Sequence, residues 1–286
     1  MRHLLAIRDL TPEDLSRIME LSEQPAPRVL QDKGVALYFE KPSSRTRNSM
    51  EMASAQLGGH PVYIQPSELG IGTRESVADV TRTLACYHAI LAARVFDHTL
   101  LEQMATVNAA PVLNMLSATD HPLQALADLL TVKQLLGRIE GARIAFIGEA
   151  NNVSRSLAEA CALLGAELNI ASPLGYGFGA PLPNVNPSTD PREAVDGADI
   201  VYSDVWVSMG DEDSDERRAA FEPYQVDEAL MACSPNAWFL HCLPAHRGEE
   251  VTAAVIDGPR SAVWRQAENR MHTARGAMLW LMEGNQ

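Results

Sequence analysis

Five clusters along the chain combine residue types and spacing suited to chemistry. Phe39-Glu40-Lys41-Pro42-Ser43-Ser44-Arg45-Thr46-Arg47 lies where an apolar run gives way to a helical pattern. A strand-to-helix turn there points several backbone N–H groups at one spot, and the hydroxyls and an arginine would complete a phosphate cradle beside the positive end of the helix dipole. The plain alternative is a helix cap with solvated arginines. A Walker loop is excluded, because the G-x-x-x-x-G-K pattern is absent. His121-Pro122-Leu123-Gln124 places two neutral donors on one face of a first helical turn, able to polarise a carbonyl oxygen or simply to form a polar helix start. Ile147-Gly148-Glu149-Ala150-Asn151-Asn152 follows a strand as a dinucleotide fingerprint would, but lacks its glycines. Its asparagines suit a carboxylate or amide, or a helix cap.

The remaining clusters also close strands. Asp204-Val205-Trp206-Val207-Ser208-Met209-Gly210 sets an Asp and a Ser where substrates of open α/β sheets bind, a pairing that suits an ammonium group; a turn ending in glycine is the alternative. His241-Cys242-Leu243-Pro244-Ala245-His246-Arg247 puts His and Cys side by side. Strand alternation would aim those two side chains opposite ways, against a Cys–His catalytic pair. Arg270 and His272 fall on a C-terminal helix, where a charged outer face is the ordinary reading.

The elements that must position these residues alternate between strand and helix. Thr11-Pro12-Glu13-Asp14 opens a helix with a hydroxyl cap and a proline in its first turn. Residues 35–39, 62–64, 89–92 and 112–114 read as strands, with helices over 44–57, 76–87 and 100–107 between them. A long helix over 121–136 follows, then strands at 144–147, 168–170, 199–202 and 238–241, a helix over 153–164, and a last helix over 262–282. Pro173 to Pro191, rich in Pro, Gly and Asn, reads as loop. Such alternation implies parallel sheets with crossover helices. The expected architecture is α/β: two doubly wound domains, 1–135 and 136–265, with a cleft between them, and a C-terminal helix, 266–286, returning to the first.

Composition narrows the class. Among 286 residues, 23 Lys plus Arg against 37 Asp plus Glu leave a net charge of −14, which repels nucleic acid. No apolar run approaches the ~20 residues of a membrane span. The N-terminus lacks a signal-peptide core, and four scattered cysteines form no C-x-x-C pair, so a reducing cytoplasm is expected, with no structural metal.

Taken together and in order, the clusters resemble the aspartate and ornithine carbamoyltransferase family over nearly the whole chain. Residues 39–47 are similar to its carbamoyl-phosphate motif S-T-R-T, with Ser44 replacing Thr. Leu91-Ala92-Ala93-Arg94 matches the strand bearing a second phosphate-site arginine, and His121 to Asp128 the signature H-P-x-Q-x-L-x-D. Ser208-Met209-Gly210 and His241-Cys242-Leu243-Pro244 resemble the ornithine branch, and Glu268-Asn269-Arg270 the returning C-terminal helix. Two departures stand out: the segment 173–190 looks short by a helix, and 67–75, which in the family reaches a neighbouring subunit's site, looks slightly long.

The resemblance implies transfer of a carbamoyl group from carbamoyl phosphate to the δ-amine of L-ornithine, giving L-citrulline and phosphate. By the same resemblance, carbamoyl phosphate is held by Ser43, Ser44, Arg45, Thr46, Arg94, His121, Gln124, Cys242, Leu243 and Arg270. Ornithine is held by Asn152, Asp204, Ser208 and Met209. The catalytic set is Arg45, His121, Asp204, Cys242 and Arg270; the choice between Asp204 and Cys242 as the group facing the amine proton stays open. No cofactor is expected, because carbamoyl phosphate carries its own activation. The family's trimers imply a homotrimer or a multiple of it. Rival readings are transfer to putrescine or an acylated ornithine, a non-catalytic binding protein of the same fold, and a nicotinamide oxidoreductase, which the missing glycines disfavour.

Overall fold

A computed structural model describes residues 1–207 and 213–284. The chain divides into two compact units, Met1–Ala127 with Glu268–Gln286, and Asp128–Ala267. The first unit runs α1 (Pro12–Glu23), β1 (Gly34–Phe39), α2 (Ser44–Gln56), β2 (His60–Ile64), α3 (Pro66–Leu69), α4 (Val77–Ala85), β3 (His88–Arg94), α5 (His98–Val107) and β4 (Val112–Leu116). Its strands pair in parallel in the order β2-β1-β3-β4. Apolar side chains on both sides of β1 and β4 explain their near-continuous hydrophobic runs, since crossover helices cover both faces of a parallel sheet.

Helix α6 (Pro122–Leu136) begins in the first unit and ends in the second. The second unit continues with β5 (Arg143–Ile147), α7 (Asn152–Leu164), β6 (Glu167–Ala171), β7 (Val185–Ser188), α8 (Pro191–Val195), β8 (Ile200–Ser203), α9 (Asp215–Phe221), α10 (Glu228–Met231), β9 (Trp238–His241) and α11 (Ala253–Ile256). Its five parallel strands are ordered β7-β6-β5-β8-β9. Ile147, Val201, Tyr224 and Phe239 are among the buried side chains of its core. In each sheet the strand order reverses once, between β1 and β3 and between β5 and β8. A doubly wound sheet presents its ligand crevice at that reversal, beyond the carboxyl ends of the strands.

The last helix, α12 (Val263–Glu283), carries the chain back into the first unit, as expected. There it lies on α1. Trp280 Nε1 donates to Asp14 Oδ1 at 3.0 Å, and Arg275 donates to the Ser22 carbonyl at 2.7 Å. Gly276 permits the close approach, for a Cβ there would stand 2.1 Å from Ser22 Oγ and 2.5 Å from the Ile18 carbonyl.

One expectation is corrected. Pro173 to Pro191 is not all loop, because β7 lies within it and pairs with β6. As an edge strand with exposed Asn186 and Pro187, β7 lacks the apolar run that marks an inner strand. Residues 172–184 pass from β6 to β7 without a helix.

Candidate active site

In the first unit the switch-point residues are cationic and hydroxylic. Ser43 ends the β1–α2 turn and caps α2, its Oγ accepting the Thr46 N–H at 3.4 Å and donating to Thr46 Oγ1 at 3.2 Å. The cap does not exclude a cradle, since a capped turn still aims the remaining first-turn N–H groups outward. Arg94, at the end of β3, donates to Thr46 Oγ1 at 3.5 Å. Arg45 and Arg47 differ. Arg47 pairs with Glu51 at 2.7 Å and stacks over Tyr63, whereas exposed Arg45 makes no ion pair with a described residue.

From α12, Arg270 reaches the start of α6, donating to Gln124 Oε1 at 2.6 Å and lying 3.3 Å from His121 Nε2. Because a guanidinium only donates, His121 Nε2 is the acceptor and Nδ1 carries the proton. Burial, reinforced by Arg270 and Arg94, holds His121 well below its ordinary value, so the ring is neutral. Burial first, then the like charges of Arg270 and Arg45, pushes Arg94 down to about 10. Three guanidinium groups that repel one another at a helix N-terminus form a site whose electrostatics call for an anion. Asp120, the fully buried residue before His121, is held by Arg8, which donates to its two carboxylate oxygens at 2.5 and 3.2 Å.

The second unit's cluster is built differently. β8 and β9 pair with Ser203 opposite His241, so the next residues, Asp204 and Cys242, leave adjacent strand ends together. Cys242 Sγ donates to Asp204 Oδ1 at 2.9 Å, an oxygen that also accepts the Val205 N–H at 2.8 Å. Asp204 Oδ2 accepts from Asn151 Nδ2 at 2.9 Å. Asn151 also caps α7, accepting the N–H groups of Val153 and Ser154. Asn152, the expected carboxylate ligand, is the first residue of that helix. Ser208 and Met209 lie outside the described residues. On α9, Arg217 donates to the Trp206 carbonyl at 2.6 Å and pairs with Glu149.

His241 is 1% exposed and Glu250 0%, and His241 Nε2 lies 3.2 Å from Glu250 Oε1. His241 Nδ1 accepts the Leu243 N–H at 2.9 Å. The expected divergence of His241 and Cys242 is not kept, because the strand ends at His241: ligating atoms of Asp204, His241 and Cys242 fall within 4.8 Å of one another. A Cys–His pair still does not form, since each side chain has its own partner. A cation at these three would have to displace the contact at whichever imidazole nitrogen bound it, the Leu243 N–H at Nδ1 or Glu250 at Nε2. A second group, His246, Glu249 and Glu250, is likewise engaged, Glu249 by Arg218 at 3.0 Å and Glu250 by the His246 N–H at 2.5 Å.

The structure thus gathers Ser43, Thr46, Arg94, His121, Gln124 and Arg270 around one charge system, with Arg45 adjoining. It joins Asp204 to Cys242 in the other unit. Sequence reasoning passed over Asp120 and Glu250, and named Asn151 only together with Asn152, as a ligand or a helix cap. Asn151 had a signal, an Asx residue directly before a helical pattern; buried Glu250 had none, since Glu249-Glu250 reads as a solvated pair.

Residues 2–134 match the carbamoyl-phosphate-binding domain of aspartate/ornithine carbamoyltransferases, and residues 140–281 match the Asp/Orn-binding domain. The chain belongs to this family. Relatives include the ornithine carbamoyltransferases of Pyrobaculum calidifontis, 45% identical over 99% of both chains, and of Bacillus subtilis, 42% identical over 97% of this chain and 92% of that protein. Among solved structures, the ornithine carbamoyltransferase from Pyrococcus furiosus superposes with a TM-score of 0.93 at 40% identity, covering 99% of this chain and 97% of that one. That from Thermus thermophilus gives 0.91 at 42%, covering 98% of each. The first match contains the anion cluster except Arg270, which falls with the Asp204 cluster in the second.

Proposed function

We propose that the protein transfers the carbamoyl group of carbamoyl phosphate to the δ-amine of L-ornithine, giving L-citrulline and phosphate. The observation that carries this reading is the group of like charges around Arg94, set on a helix N-terminus in a chain of net charge −14. A local cationic site against an opposing overall field is built for a specific anion. Relatives over nearly the full length are ornithine carbamoyltransferases, which points to the amine.

The amine nitrogen forms a bond to the carbonyl carbon, the carbon–oxygen bond to phosphate breaks, and the nitrogen sheds a proton. Charge grows on the leaving phosphate, where Ser43, Ser44, Arg45, Thr46 and Arg94 receive it. His121, Gln124 and Arg270 bind the carbonyl oxygen; with Nε2 accepting from Arg270, neutral His121 offers Nδ1–H. Preorganised donors of this kind supply most of the barrier lowering, about 3 kcal/mol apiece. Cys242 and Leu243 complete the carbamoyl end, and Asn152, Ser208 and Met209 the amino-acid end. Asp204, already accepting the Cys242 thiol, is the acidic group beside the amine, whose ordinary pKa of ~10 requires it to lose a proton before attack.

The chain works as a homotrimer or a multiple of it in the cytoplasm, a reading supported by its family and by its four free cysteines. Among the described residues no helix is long and apolar enough to cross a membrane. Purified protein is offered carbamoyl phosphate with ornithine, putrescine, N-acetylornithine or aspartate, and ureido product is measured. Citrulline from ornithine alone is expected; preference for another amine would refute the ornithine assignment, and no product at all would refute the activity. A sedimentation profile showing only monomer at micromolar concentration would refute the trimer.

A further inference from the structure

We propose that Glu250 is a positioning residue for this reaction, acting through His241 on the backbone of Cys242 and Leu243. This inference rests on the function proposed above.

Leu243 has a φ of +59°, the left-handed region that a branched side chain occupies only when its surroundings hold it there. What holds it is an imidazole. The Leu243 N–H donates to His241 Nδ1 at 2.9 Å, which requires a lone pair on Nδ1 and therefore the proton on Nε2. Nε2 faces Glu250 Oε1 at 3.2 Å, so the carboxylate selects the tautomer that the Leu243 N–H needs. The opposite tautomer would set two N–H groups against each other at Leu243 and leave a buried nitrogen facing a carboxylate.

Both ends of the device are fixed. The His241 backbone N–H donates to Gln266 Oε1 at 2.8 Å, and Gln266 Nε2 donates to Asp128 Oδ1 at 2.7 Å. Glu250 accepts the His246 N–H at 2.5 Å, and its carbonyl accepts the Val226 N–H at 2.9 Å. Residue 243 is thus oriented by a carboxylate seven positions along the chain, and the Cys242 thiol that meets Asp204 sits on the same corner. Glu250 itself is placed here on no substrate.

The test compares Glu250→Leu with Glu250→Gln and with both an unaltered and a His241→Asn background. Glu250→Leu removes the acceptor, and kcat/KM for ornithine should fall at least about tenfold, the scale of a lost carboxylate–histidine contact. The loss should fall on kcat more than on the KM for either substrate. Glu250→Gln keeps an oxygen facing Nε2 and should restore most of that loss. An asparagine at 241 can accept the N–H two residues ahead without help from Glu250, as in an Asx turn, so in the His241→Asn background Glu250→Leu should change kcat/KM less than twofold. Nitrogen-15 shifts of the His241 ring report the tautomer without turnover: Nε2–H in the unaltered protein, Nδ1–H in Glu250→Leu. Wild-type kcat/KM in a folded Glu250→Leu variant overturns the proposal, as does an Nδ1–H tautomer in the unaltered protein. If Glu250→Leu fails to fold on its own, the comparison is made in the His241→Asn background alone, where a fall of about tenfold or more on adding Glu250→Leu overturns it equally. If the unaltered protein makes no ureido product, the functional reading has failed and the ring tautomer alone decides this one.

Discussion

The two clusters occupy equivalent places in their sheets and are opposite in electrostatic design. In the first unit, like charges crowd one another: Arg45 and Arg270 both disfavour the charge on Arg94. In the second unit, the central carboxylate already has its donors, with Cys242 and Val205 on one oxygen and Asn151 on the other. One site carries electrostatic stress that an anion relieves; the other is a satisfied network that an incoming amine must enter. Removing a cation from the first should therefore weaken binding while sparing the fold, and substitutions in the second should damage both.

The largest expected effect is that of Arg45→Ala. Exposed Arg45 makes no ion pair with a described residue, so the melting temperature should stay level or rise as the repulsion on Arg94 is relieved. Carbamoyl-phosphate binding and turnover should together fall by about 3 kcal/mol or more, roughly a hundredfold or greater. Calorimetric titration with carbamoyl phosphate or inorganic phosphate checks the first, and steady-state assay the second. Undiminished phosphate affinity would break the contrast at its stronger end.

Asp204→Asn tests the other side. The new side chain still offers one oxygen to Cys242 and Val205 but sets an amide against Asn151 Nδ2. Asn151 cannot turn round to suit it, because its own oxygen caps α7. Turnover should drop about a hundredfold, as expected for a lost proton acceptor, with stability lower by about 1 kcal/mol and phosphate affinity unchanged. Loss of phosphate affinity with retained turnover would reverse the roles given to the two units.

How much of this was legible depended on what kind of force shaped each part. The inner strands announce themselves because burial on both faces demands apolar runs, and α2, α7 and α12 because helices need caps or periodic faces. Edge strand β7 does not, since Asn186 and Pro187 look to solvent. The hydroxyl and arginine residues at the start of α2 were legible because a strand–turn–helix unit concentrates them within a few positions. Asn151 and Asn152 were not separable by type, as one residue of helical phase decides which side chain reaches Asp204. The pairing of His241 with Glu250 spans nine residues of turn and lies beyond any periodicity, and the end of strand alternation at His241 could not be seen without the structure.

The charge crowd also has a pH signature. An unfolded histidine titrates near 6.5, whereas folded His121 resists protonation through burial and the cations beside it. As pH falls below about 6.5 the unfolded chain takes up a proton that folded His121 refuses, so its contribution to stability is lost progressively on acidification and is flat above that value. His121→Gln removes this term. The slope of unfolding free energy between pH 6.5 and 5 should be shallower in the variant by up to about 1.4 kcal/mol per pH unit. Equal slopes would mean His121 protonates normally and the cluster is less crowded than its geometry indicates.

The smallest effect separates the two roles of Ser43. As the cap of α2 its Oγ accepts the Thr46 N–H, and Ser43→Ala should lower stability by about 1 kcal/mol, read from denaturant unfolding. Ser43→Asp restores a capping oxygen but adds a negative charge inside the cationic cluster. It should therefore recover stability, and even exceed the parent as it offsets the repulsion among Arg45, Arg94 and Arg270, while phosphate affinity falls below that of Ser43→Ala. A variant that recovered both stability and affinity would show that the cap, and not the anion, sets the charge arrangement at this turn. Opposite movements of the two quantities are what the crowded-cation site requires, because a built-in carboxylate relieves the same stress that the substrate's phosphate would.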